Sequence, residues 1–334
     1  MLRLARNGGG FSSRLHPTIL RRSTSLLRFS STVSADSSSP EIATATNMER
    51  PGPPPIRVAL TNSAGRGVFA TRRIASGDLM HTASPVVCYP SLATLHSVCY
   101  FCLRRLPNAT AAPTASYCSD ECMEHAEAFH EVEAKADWLA HDEHCRTQGL
   151  KYPLLVKRLA CMVISGNASA DCLDILQPAP LSSGMISEME RGFDLLRDAF
   201  IKADIGDEQI AFLNKQWYIG LLARIRINAF RVELAGGSYE DLLSLAAASV
   251  ATEASVGNAV YMLPSFYNHD CDPNAHIIWL ENASARLKAL RDIDPGEELR
   301  ICYIDASLDR DARRAILFEG FGFHCNCGRC LSGD

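Results

Sequence analysis

The sequence predicts an α+β protein in which a framework of short strands is split by a zinc-binding insert, and three observations carry that prediction. Short extended segments with Gly and Pro punctuation occur near the start and again after Val260. Between them lie a Cys/His-rich stretch over 99–145 and a run of helix-period patterns over 151–230. A second cysteine cluster follows at Cys325, Cys327 and Cys330. Strands and helices gathered into separate blocks indicate α+β rather than alternating α/β architecture. The 334 residues allow two or three compact units, and 47% hydrophobic content is enough to bury a core.

The first 48 residues carry Arg3, Arg6, Arg14, Arg21, Arg22 and Arg28 against one Asp and one Glu, with no acidic residue before Asp36. Apolar pairs interleaved with these arginines at near-helical spacing, followed by a Ser-rich run, have the composition of an organelle transit peptide. Mitochondrial import is the expectation, with nuclear or plastid targeting as the alternatives. The leader's balance of +4 leaves −9 on the remainder of a chain whose net charge is −5. That balance speaks against a phosphate-neutralising nucleic-acid binder. No apolar run approaches the roughly 18 residues a membrane span requires, so no membrane association is expected.

Pro53, Pro54 and Pro55 mark a stiff entry to the folded part. Strands are expected at Ile56–Leu60, Gly67–Ala70 and Asp78–Val87, from short β-rich runs around a Gly-rich turn. Glu121–His144 lacks Pro and Gly and reads as helix. Ile210, Leu213, Trp217, Leu221 and Ile225 share one helical face, and His276–Leu280 and Leu299–Tyr303 read as strands.

Thirteen cysteines, odd in number and clustered, point to zinc in a reducing compartment rather than to a disulfide scaffold. Cys99-x2-Cys102 and Cys118-x3-Cys122 offer four soft thiolates in two short knuckles, suited to a closed tetrahedral site. His141-x3-Cys145 has helical ligand spacing without a partner pair, and makes a third zinc conceivable. Cys325, Cys327 and Cys330 need a fourth ligand. Cys271, in the polar turn Asn268-His-Asp-Cys-Asp-Pro-Asn274, is the best candidate.

Asn268-His269-x-Cys271-x-Pro273-Asn274, then Gly296-Glu-Glu-Leu299-x3-Tyr303, then the terminal cysteine triplet, resembles the SET-domain protein-lysine methyltransferases. The Gly65-Arg66-Gly67-Val68-Phe69 turn fits the same family, and the insert looks like the MYND-type zinc finger of its SMYD-like branch. Among plant proteins the chain resembles the small Trithorax-related histone-lysine methyltransferases. The resemblance implies a SET fold of small sheets around a threaded loop. Beside the leader at 1–48 read from composition, it divides the chain into an N-terminal SET part at 49–98, the insert at 99–145, a helical segment at 146–227, core SET at 228–304 and a zinc tail at 305–334. The expected middle Cys pair of the finger is missing between Leu103 and Ser116.

The implied activity is methyl transfer from S-adenosyl-L-methionine to lysine of a histone tail or an organellar protein, by a monomer. The alternative is an inactive scaffold acting as a zinc-stabilised interaction module. Resemblance assigns Tyr303 to catalysis, and Arg66, Gly67, Asn228, Tyr261, Asn268, His269, Tyr303 and Phe323 to the cofactor pocket. Phe266 reads as core, and Tyr267 carries no assigned role.

Overall fold

The computed structural model describes residues 52–107, 115–235 and 255–334. The transit-peptide segment lies outside the described residues. β1 (Ile56–Leu60) and β2 (Arg66–Ala70) form an antiparallel hairpin. Its turn is locked by Thr61, whose N–H and hydroxyl both donate to Gly65 O, with Gly65 at φ +71°. A side chain there would pay the left-handed penalty that glycine avoids.

The expected strand at Asp78–Val87 is two strands. β3 (Leu79–Ala83) ends before Pro85, which lacks a ladder N–H, and β4 (Val87–Pro90) joins a different sheet. The expected helix over the insert is also two. α1 (Asp120–Lys135) is capped by the Ser119 hydroxyl, and Ala136 is extended; Asp137 then accepts from the Leu139 N–H to start α2 (Leu139–Thr147).

α3 (Tyr152–Ile164) is apolar on nearly every side and is buried accordingly. It packs against α1, β4 and α5 (Lys215–Asn228), while α4 (Ser183–Lys202) covers α2 and α5. Asn214 accepts from Trp217 N–H and so fixes the start of α5. Ile210 and Leu213 are buried as expected but precede the helix they were expected to share.

β5 (Ala229–Glu233) and β6 (Ser255–Val260) complete a three-stranded sheet in the order β4-β6-β5. β8 (Ala275–Ile278) and β9 (Ala285–Ala289) join β3 in the order β3-β9-β8. β7 (Asn268–His269) and β10 (Glu298–Ile301) extend the first hairpin in the order β1-β2-β10-β7. β10 and β7 run parallel, with Arg300 beside Asn268 and Ile301 beside His269. The tail contains α6 (Arg310–Phe321), capped by Asp309, and the short α7 (Gly328–Ser332).

Two cores result. One is helical, from Phe129, Leu155, Leu159, Phe200 and Leu222 among others, and the other lies among the sheets, from Val68, Tyr261, Leu287 and Leu299. Phe266 packs against both. The insert is tied to them through Arg158 of α3, only 2% exposed. Its guanidinium lies over Tyr100, Tyr89 and Phe129, donates to Glu133 Oε1 at 3.1 Å, and donates to Cys88 O and Tyr100 O at 3.0 Å each. Tyr100 donates to Glu133 Oε2 at 2.9 Å, so the buried charge pair is hydrogen-bonded on both sides. No described helix is long and apolar enough to cross a membrane.

Candidate active site and thiolate centres

The site is assembled where β2, β7 and β10 meet. Gly67 has no room for a side chain: a Cβ would lie 2.7 Å from both Glu298 Oε1 and Thr61 Cγ2. The Thr61, Glu298 and Asn268 side chains therefore pack directly on the Gly67 backbone, with Asn268 Nδ2 donating to Arg66 O at 3.1 Å and to Glu298 Oε1 at 2.7 Å. Arg300 donates to Glu298 Oε2 through Nε and Nη2 and to Asp270 through Nη1, which holds the acidic groups in place. Asn274 locks the following turn by donating to Glu298 O and accepting from Arg300 N–H.

Tyr303 follows β10. Its hydroxyl donates to Tyr267 O at 2.6 Å, and its N–H donates to His269 Nδ1 at 3.1 Å. Its ring contacts Phe321, His269 and Phe323, with centroids 5.1, 5.3 and 6.5 Å away. Burial pushes its phenol well above the ordinary range, so at neutral pH the hydroxyl is a donor and an orienting dipole, not a base. Burial also pushes the His269 imidazole down to about 4 and keeps it neutral.

Four residues to which the sequence assigned no role, Tyr267, His81, Glu298 and Arg313, belong to this assembly. Tyr267 is fully buried, and its carbonyl receives the Tyr303 hydroxyl while its own hydroxyl lies 3.0 Å from His81 Nε2. Glu298 receives Asn268, and Arg313, 1% exposed, lies beside the Cys271 and Cys330 sulfurs. Tyr267, next to Asn268-His269, and Glu298, inside the Gly296–Leu299 motif, stood close to a motif, whereas His81 and Arg313 did not.

Arg66, Gly67, Asn268, His269, Tyr303 and Phe323 thus come together. Asn228 and Tyr261 are engaged elsewhere. Asn228 Nδ2 donates to Gln177 O and Arg224 O, and binds the end of α5 to the 175–180 segment, which Arg66 Nη1 also grips at Ile175 O. Tyr261 donates to Ala283 O and accepts from Trp279 Nε1, with Phe230 and Trp279 as its ring neighbours in the sheet core.

Two groups of four cysteines are brought together among the described residues: Cys99, Cys102, Cys118 and Cys122, and Cys271, Cys325, Cys327 and Cys330. Within the first, Cys102 and Cys118 are 3.5 Å apart and Cys118 and Cys122 are 3.6 Å apart. Within the second, Cys271 lies 3.9 Å from Cys325 and 3.7 Å from Cys330. A zinc tetrahedron with Zn–S near 2.3 Å has S–S edges of about 3.8 Å, whereas a disulfide needs about 2.05 Å. Both groups fit zinc. The conceivable third site at His141 and Cys145 is not formed among the described residues. His141 Nδ1 pairs with Asp142, which also binds Lys157, and Cys145 is 1% exposed within the helical core. No further ligand joins them among the described residues.

Interleaved strands, a junction of Asn268, His269 and Tyr303, and a cysteine tail closed onto that junction define a SET-type domain. The SET domain family model matches residues 65–304, and the chain belongs to that family. It is 65% identical over 286 residues to the histone-lysine N-methyltransferase ATXR4 of Arabidopsis thaliana, covering 85% of this chain and 88% of that protein. A SET and MYND domain-containing protein of Dictyostelium discoideum is 24% identical over 279 residues, covering 76% of this chain and 77% of the relative. The human histone-lysine N-methyltransferase SMYD3 is 26% identical over 281 residues, covering 82% of this chain and 61% of that protein.

Proposed function

We propose that this chain is a protein-lysine N-methyltransferase that uses S-adenosyl-L-methionine. The observation that carries the reading is the hydrogen-bonded junction of Asn268, His269 and Tyr303, closed on one side by Arg66 and Gly67 at the start of β2 and on the other by Phe323 of the tail. The bound cofactor would supply a sulfonium methyl group to which a neutral lysine amine can bond in line as the C–S bond breaks, with the neutral thioether leaving and the surplus N–H proton passing to water, so no metal or covalent intermediate is needed. The protein's task is alignment, worth several kcal/mol, and keeping the lysine amine unprotonated by desolvation. Arg66, Gly67 and Asn268 present backbone and amide groups for the cofactor. Tyr303 offers a protonated hydroxyl beside the transfer path, where it orients the amine. The two thiolate centres hold structural zinc, and neither leaves an open coordination position for chemistry.

The substrate class follows from charge: a remainder at −9 suits a Lys-rich basic segment, either a histone tail or an organellar protein. The acid-free arginines of residues 1–35 support mitochondrial import. The test is transfer of labelled methyl from S-adenosyl-L-methionine into separate nuclear and mitochondrial extracts, with Tyr303→Phe as the blank. Tyr303-dependent labelling supports the activity, and its absence from both extracts contradicts it. Deleting residues 1–35 from a fluorescent fusion should abolish mitochondrial signal, and unchanged fluorescence would refute the import reading.

A further inference from the structure

The imidazole of His269 has two polar neighbours, and only one tautomer suits both. The Tyr303 backbone N–H lies 3.1 Å from Nδ1 and can only donate, so Nδ1 carries no proton. An imidazole with no proton on Nδ1 carries its proton on Nε2, which lies 3.3 Å from Cys271 Sγ. A sulfur held by a metal has given up its own proton and can only accept. Nε2–H therefore donates to Cys271, and one ring spans the gap between the tail thiolate centre and the backbone of Tyr303. The ring is 8% exposed, and the Tyr303 and Phe323 rings pack against it with centroids 5.3 and 6.0 Å away. No ring nitrogen is left over for a bound cofactor.

We propose that His269 is a positioning residue that transmits occupancy of the tail metal site to Tyr303. The Tyr303 N–H fixes the Nε2–H tautomer, and the metal-held Cys271 sulfur, which can only accept, holds the ring in place through that proton. The other tautomer would set two donors face to face at Tyr303 and release the segment whose hydroxyl meets Tyr267 O. Groups that hydrogen-bond a metal ligand orient it, and here the same group also orients the residue assigned to the chemistry. The consequence for turnover rests on the methyltransferase reading, whereas the geometry does not.

The test uses the full chain, labelled with ¹⁵N-histidine and loaded with ¹¹³Cd in place of zinc. The His269 ring is assigned through its contacts with the Tyr303 and Phe323 ring protons. The expected result is a proton on Nε2, an unprotonated Nδ1, and a scalar coupling from the Nε2 proton to ¹¹³Cd across the hydrogen bond. A proton on Nδ1, or no coupling to cadmium, overturns the proposal whether or not the chain transfers methyl groups. In the second arm, His269→Gln should keep both metals and the thermal shift given by S-adenosyl-L-methionine. Its kcat should fall about tenfold with KM little changed, within the range typical for groups behind a metal ligand. Unchanged kcat, or loss of the tail metal, would show that His269 only fills space or only holds Cys271. If the coupling is present and the wild-type chain transfers no methyl group, the methyltransferase reading fails and the tautomer stands.

Discussion

The two thiolate centres use the same four-cysteine chemistry in opposite settings. The insert centre is built from one stretch of 24 residues, Cys99 to Cys122, and three of its four cysteines are partly exposed. Its sulfurs have one another, backbone N–H groups and the Ser119 hydroxyl as polar neighbours. The tail centre joins Cys271 to a triplet 54 to 59 residues further on, and all four cysteines are buried. It lies between the His269 ring, the buried Arg313 and Arg329, which donates to Cys271 O at 3.1 Å. A zinc ion with four thiolates carries a net −2 charge, and burying it is costly unless cations and donors answer it. Arg313 and Arg329 supply that answer in the tail; exposure to water supplies it in the insert. The first centre stabilises a segment too small to bury its own core, and the second shapes the site.

Removing one ligand from each centre is the sharpest way to break this comparison, and the effects on methyl transfer should fall in a definite order. Cys327→Ser should lose one of two zinc ions per chain and about a hundredfold or more of the activity, since the segment carrying Phe323 has little apolar surface of its own. Metal analysis beside a transfer assay checks it. Full zinc content with full activity would separate the tail from catalysis.

Tyr303→Phe should keep the fold and the cofactor-induced thermal shift but lower kcat by more than roughly tenfold, because the hydroxyl acts mainly in the transition state. Cys118→Ser should also lose one zinc and lower the melting temperature, with transfer at permissive temperature reduced only a few fold. Equal losses in the two zinc variants would mean that the centres are not functionally distinct.

The smallest effect on transfer is expected at the joint between insert and core. Burial works against ionisation of Glu133, but the Arg158 guanidinium, His130 and Tyr100 outweigh it and hold the carboxyl at about 2. A depressed carboxyl contributes stability above its unfolded value and loses it as pH falls toward the folded value. Glu133→Gln should therefore destabilise the neutral protein by about 3–5 kcal/mol, as expected when one partner of a buried pair is removed. The gap from wild type should narrow as pH falls from about 4.5 toward 2, while activity of the folded fraction at neutral pH stays within about twofold. Acid-titrated melting curves of both proteins check the sign.

The same contrast explains what could be read in the sequence. The insert centre was legible because its ligands are close in sequence and their spacing carries the geometry. The tail centre was legible only in part: three thiols announced a site, and Cys271 followed from a turn-rich polar loop. The contact between Tyr267 and His81 was not legible, because it joins positions 186 residues apart and His81 has no chemical signature alone. Arg313 was hidden for the same reason, as one arginine in an ordinary amphipathic helix. Local breaks were missed where a single side chain decides them. Pro85 divides β3 from β4, and the Asn214 cap delays α5 beyond Ile210 and Leu213.

The central claim, that activity follows the tail centre and not the insert, is tested most directly by chelator-driven zinc release from the full chain with transfer measured in parallel. The partly exposed insert centre should surrender its zinc first with most activity retained, and the buried tail zinc should leave more slowly and take the activity with it. Loss of activity in step with the first zinc would contradict the account.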